Sequence, residues 1–133
     1  MILSPSILSA DFTILGDELK TIDEAGSEYI HIDVMDGIFV PSISYGMPVI
    51  KSIRKATKKV FDVHLMITEP ERYINEFVES GADIITFHVE ATKDPGKVID
   101  MIHEKGLKAG ISVKPKTPLE AVEPFLEKID MLL

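Results

Sequence analysis

The chain contains no cysteine among its 133 residues. Disulfides, thiolate metal sites and a cysteine nucleophile are thereby excluded. Positive charge is also scarce, with 14 Lys and Arg against 22 Asp and Glu, for a formal net charge of −8. That balance argues against a nucleic-acid backbone or an anionic membrane as partner. No apolar run approaches the ~18 residues of a membrane span. The opening Met1-Ile2-Leu3-Ser4-Pro5 lacks the basic region of a secretory signal. These absences lead us to expect a soluble, cytoplasmic protein. No Gly-x-Gly-x-x-Gly loop follows the first apolar run, which removes the usual dinucleotide cradle.

What is present is a regular alternation of short apolar runs and amphipathic stretches. With 45% hydrophobic and 27% charged residues, the composition predicts one globular domain over 1–133. Strands are expected at Ile2–Leu8, Tyr29–Val34, Val60–Met66, Ile84–Val89 and Ala109–Val113. Helices are expected at Ile14–Ala25, Pro48–Ala56, Glu71–Ser80, Pro95–Lys105 and Pro118–Glu127. Thr68 with Glu71, and Thr117 with Glu120, have capping-box spacing. Asp94-Pro95 reads as an N-cap followed by proline in the first turn. Gly26, Gly81 and Gly106 each fall where a helix should stop shortly before a strand. Pro124 interrupts the fifth helical pattern and should kink or split it.

Repeated βα units of this kind imply an α/β fold with a parallel sheet. Polar residues recur near several strand ends rather than at one switch point, which favours a (β/α)8 TIM-barrel type over a doubly wound sheet. A whole barrel takes ~250 residues. This chain has room for about five βα units plus the start of a sixth strand at Ile129–Leu133. An incomplete, truncated barrel is the expectation.

The chemistry gathers on those strands. Residues i and i+2 of a strand share a face, so His31 and Asp33 project together. Asp62, His64 and Met66 repeat the pattern, and Thr86, His88 and Glu90 follow it. Ser4 and Ser6 share a face of the first strand. If these strands are neighbours, His31, Asp33 and His64 form a two-histidine, one-carboxylate set suited to a divalent ion such as Zn2+, Fe2+, Mn2+ or Co2+. Read from the residues alone, a hydrogen-bonded core cluster remains open beside the metal or acid–base site. His103 reads as a surface residue, and Lys58-Lys59 as a solvated face.

Several segments, in order, resemble the ribulose-phosphate 3-epimerase family. They are Pro5-Ser6-Ile7-Leu8-Ser9-Ala10-Asp11, His31-Ile32-Asp33-Val34-Met35-Asp36-Gly37 and Phe39-Val40-Pro41. Asp62-Val63-His64-Leu65-Met66, Gly81-Ala82-Asp83-Ile84-Ile85, His88-Val89-Glu90-Ala91 and Pro115-Lys116-Thr117-Pro118 continue the series. The resemblance covers essentially the whole chain. It implies an isomerase of the pentose phosphate pathway that interconverts D-ribulose 5-phosphate and D-xylulose 5-phosphate with one divalent metal ion. It also implies metal ligation by His31, Asp33 and His64, with Asp33 doubling as catalytic acid/base. Ser6 and His64 would contact the sugar phosphate, and Met35 and Met66 would line the site. A homo-oligomer is expected. The family's second catalytic aspartate and its glycine-rich phosphate loops have no counterpart in these residues, so the 133-residue segment alone is expected to be inactive. Asp36 belongs to the turn after the second predicted strand and does not replace that aspartate. Lys114 departs from the family pattern, where a polar uncharged residue is common. Two other readings stand beside this one: a related hexulose-phosphate 3-epimerase, and a non-catalytic metal-binding half-barrel module.

Overall fold

Apolar and β-branched residues alternate with polar ones along three segments, and those segments build the centre of a parallel sheet. The computed structural model describes residues 1–133. Its strands are β1 (Tyr29–Met35), β2 (Val60–Met66), β3 (Ile84–His88), β4 (Lys108–Ser112) and β5 (Met131–Leu132). All neighbours are parallel and the spatial order is β1-β2-β3-β4-β5. Each new strand is therefore laid on the same side of the last, as in a barrel. A doubly wound sheet would reverse that order at a switch point.

The helices are α1 (Leu15–Glu24), α2 (Met47–Ile53), α3 (Ile74–Ser80) and α4 (Pro95–Glu104). Their buried residues, among them Leu19, Ile50, Phe77 and Ile99, join one core with Ile30, Ile32, Phe61, Val63, Ile85, Phe87 and Ile111. Every one of those strand residues has the parity that points away from His31, Asp33 and His64. The helices thus cover one face, and the polar face, though buried, carries no helix. Burying Phe61, Phe77 and Phe87, each at most 1% exposed, contributes roughly 1.5–3 kcal/mol apiece. No helix is long and apolar enough to cross a membrane.

The α4 start agrees with its sequence signals, because Asp94 Oδ1 accepts from Lys97 N at 3.0 Å with Pro95 in the first turn. Gly81 ends α3 at φ 102°, a left-handed conformation that favours glycine. A Cβ there would also meet Arg54 Cδ at 2.5 Å.

Four expectations need correction. Ile2–Leu8 is not a strand: Ser6 makes a single parallel bridge to His31, and Ile7–Ser9 is a 3-10 turn. Leu3 O and Pro5 O do accept from Tyr29 N and His31 N, at 3.0 and 2.9 Å. Pro5 has no N–H to extend the ladder, and the Ser6 side chain accepts from Leu8 N and turns the chain. Pro118–Glu127 is not an α-helix but two 3-10 turns, Leu119–Ala121 and Glu123–Phe125, split as Pro124 demands. The strand at Ile84–Val89 stops at His88, and Glu90 lies in a 3-10 turn, Val89–Ala91. Neither capping box forms. Thr68 N donates to Asp36 Oδ2, Glu71 accepts from Thr92, and Thr117 donates its hydroxyl to Glu90.

Candidate functional site

Strand parity and register together build the site. His31, Asp33 and Met35 of β1 share a face with Asp62, His64 and Met66 of β2, and register sets His31 beside Asp62, Asp33 beside His64 and Met35 beside Met66. Thr86 lies between His64 and Gly110 in the same row. A side chain at Gly110 would collide with Thr86 Oγ1, so glycine there leaves the threonine its place.

His31, Asp33 and His64 each offer one ligand atom, and the three atoms lie within 4.8 Å of one another. Asp33 Oδ1 is the hub, 3.2 Å from His31 Nε2 and 3.1 Å from His64 Nδ1. Ser6 Oγ donates to the other Asp33 oxygen at 2.6 Å. On its far side His31 Nδ1 meets Asp62 Oδ2 at 2.7 Å, and Ser4 Oγ donates to the same oxygen at 3.2 Å. Asp62 is 2% exposed, and its Oδ1 has no partner. His64 Nε2 lies 3.0 Å from His88 Nε2, with Ser112 Oγ 3.3 Å from that same nitrogen.

Charge is distributed accordingly. Burial alone would lower the His31 imidazole, but its contacts with Asp33 and Asp62 outweigh burial and push it up to about 9. Burial would likewise raise the Asp33 carboxyl. His31, His64 and Ser6 instead hold it far below the usual carboxylate range. His88 goes the other way, down to about 4, because burial and then the adjacent His64 disfavour its cation.

Two imidazole nitrogens and a carboxylate oxygen converging on one point are a donor set that fits Zn2+, Fe2+, Mn2+ or Co2+. Asp62 behind His31 completes the carboxylate–histidine pairing that orients a ligating imidazole. Met35 and Met66 are half-buried at the strand ends beside this cluster.

Asp36 stands outside it. Its carboxylate accepts from Ile38 N, Phe39 N and Thr68 N and so organises the loop after β1. Lys114 has a structural role. Its Nζ sits 3.7 Å over the Phe39 ring and donates to Phe39 O at 3.3 Å, while Glu90 accepts from Lys114 N at 2.7 Å. His103 is on the surface as expected, 3.1 Å from Asp130.

Asp62, His88, Ser4 and Ser112 were not singled out as site residues in the sequence. Parity placed three of them on the polar side, but only cross-strand register shows that Asp62 backs His31 and His88 backs His64.

The model of the Ribulose-phosphate 3 epimerase family matches residues 2–133. A ribulose-phosphate 3-epimerase of Synechocystis is 50% identical over 100% of this chain and 59% of its own length. One from Bacillus subtilis is 46% identical, covering 98% of this chain and 60% of its own. The chain thus spans about 60% of the length of the curated relatives it matches. Among solved structures, tryptophan synthase subunit alpha from Legionella pneumophila superposes with a TM-score of 0.68 at 14% identity, over 99% of this chain and 61% of that one. 3-Keto-L-gulonate-6-phosphate decarboxylase from Vibrio cholerae gives 0.68 at 14%, over 98% and 60%. At that identity the likeness shows the fold, an incomplete barrel of the TIM type.

Proposed function

Since the chain belongs to the ribulose-phosphate 3-epimerase family, an isomerase family, we propose that its polar face supplies the first half of a metal-assisted epimerase site. The substrate is D-ribulose 5-phosphate, interconverted with D-xylulose 5-phosphate. The observation that carries this reading is the Asp33 carboxylate, fixed between His31 and His64 with Ser6 on its second oxygen.

Epimerisation at C3 requires removal of the C3 proton and delivery of a proton to the opposite face. Asp33 takes the proton from one face, and the electron pair it leaves passes into the enediolate across C2 and C3. His31, Asp33 and His64 would hold a divalent ion, which would supply Lewis acidity to stabilise that enediolate. His31 is kept in register by Asp62. Ser6 holds Asp33 and, with His64, contacts the sugar. Met35 and Met66 pack beside the reacting carbon with thioethers that do not compete for the proton. Asp62 is committed to His31, so the proton donor for the opposite face has no candidate on this sheet.

A coupled assay of the intact protein with Zn2+ or Fe2+ tests the reading, and a chelator should abolish turnover. Asp33→Asn should lower kcat/KM at least about 10³-fold, within the range general acid–base groups supply, while circular dichroism stays unchanged. A near-normal rate would defeat the assignment.

A further inference from the structure

His88 is the buried polar group that the proposed chemistry leaves unused. It is 7% exposed at the end of β3, and its ring faces four neighbours. Nε2 lies 3.0 Å from His64 Nε2 and 3.3 Å from Ser112 Oγ. Nδ1 lies 3.4 Å from Glu90 Oε2, without hydrogen-bond geometry. Phe39 packs against the ring with centroids 4.9 Å apart, and the His64 ring meets it edge to edge, centroids 5.1 Å apart and planes 28° from parallel.

Two imidazole nitrogens can approach to 3.0 Å only when one carries a proton and the other offers a lone pair. His64 uses its Nδ1 toward Asp33. For that nitrogen to ligate a cation its lone pair must be free, which places the His64 proton on Nε2. His88 Nε2 is then the acceptor, and the His88 proton belongs on Nδ1, the atom facing the Glu90 carboxylate. Without a cation, His64 Nδ1–H can donate to Asp33 and the wiring runs the other way. Ser112 Oγ suits both arrangements, because a hydroxyl can donate or accept.

We propose that His88 is a positioning residue that accepts the His64 Nε2–H and so holds His64 in the tautomer that binds a divalent cation. This rests on the metal reading of His31, Asp33 and His64. Asp62 behind His31 and His88 behind His64 are then equivalent devices, one a carboxylate and one a neutral imidazole. Such outer partners typically change metal affinity about 10–100-fold when removed.

Zn2+ competition against a chromophoric chelator, on the intact protein, measures this without any turnover. His88→Phe fills the space against Phe39 but offers no acceptor. It should weaken Zn2+ binding about 10–100-fold while the metal-free protein stays folded, with a lowered thermal midpoint because His64 Nε2 loses its partner. His88→Gln restores an acceptor oxygen near the Nε2 position and should recover most of the affinity. In the wild-type protein loaded with Zn2+, ¹⁵N spectra should show the His88 proton on Nδ1. Wild-type affinity in His88→Phe, or a His88 proton on Nε2 in the zinc-loaded protein, overturns the assignment while the metal site stands. A wild-type protein that binds no Zn2+ overturns the metal reading itself, and this assignment with it.

Discussion

Replacing Asp62 by asparagine tests whether the polar face is an electrostatic device or only a packed one. Asp62 is 2% exposed and touches His31 Nδ1 at 2.7 Å. Asparagine keeps the shape and an acceptor oxygen but removes the charge. In the metal-free protein His31 is lifted from 6.5 to about 9 by Asp33 and Asp62 acting together against burial. A tenfold change in proton affinity is about 1.4 kcal/mol, so the whole rise is worth about 3 kcal/mol. The sign follows from linkage: a histidine whose folded value lies above its unfolded one stabilises the fold fully below about 6.5. That contribution is lost as pH rises through about 9. In the Asp62→Asn variant one of two carboxylates is gone while burial still opposes the cation. The His31 midpoint should therefore fall by more than about one unit, with about half or more of that stabilisation lost. The assay is an NMR titration of the His31 ring, paired with urea denaturation at about pH 6 and about pH 10, on either side of the two values. Wild type should lose more stability across that interval than Asp62→Asn. An unchanged His31 midpoint, or equal pH slopes, would refute the argument.

Two further substitutions probe the scaffold. Gly110→Ala places a methyl group against Thr86 Oγ1 and 3.0 Å from Thr86 Cβ. It should cost about 1–3 kcal/mol by overpacking in chemical denaturation, and a neutral result would show that the row between β3 and β4 yields. Arg54 donates to Thr57 O and Lys59 O at 2.8 and 2.6 Å and to Asp83 Oδ2 at 3.0 Å, with its guanidinium 3.7 Å over Phe61. Lysine cannot reproduce that fork. Arg54→Lys should cost about 2 kcal/mol in urea unfolding, and a loss below about 0.5 kcal/mol would deny the network a structural role.

Where local pattern and global packing agree, the sequence is readable. The run Ile30-His31-Ile32-Asp33-Val34 announces both a strand and a polar face through its period of two, and β1 carries both. Asp94-Pro95 marks the start of α4 through a hydrogen bond that spans three residues. Where a distant partner competes for the same group, local reading fails. Thr117 has the spacing to cap a helix, but its hydroxyl goes to Glu90, 27 residues away. Leu119 and Leu126 follow a helical period, yet Pro124 divides the segment into 3-10 turns and leaves both exposed. The segment Ile2–Leu8 reads as a strand from its apolar content, although Pro5 withholds the donor a ladder needs.

By itself the sequence determined the alternation of strands and helices, the polar parity of β1, β2 and β3, and the family motifs that name His31, Asp33 and His64. Each of these depends on residues a few positions apart, whose relative directions are set by backbone geometry alone. Tertiary structure decided which polar residues meet. His31 and Asp62 are 31 residues apart, and His64 and His88 are 24 apart. Their contacts exist because parallel pairing fixes a register that no local pattern encodes.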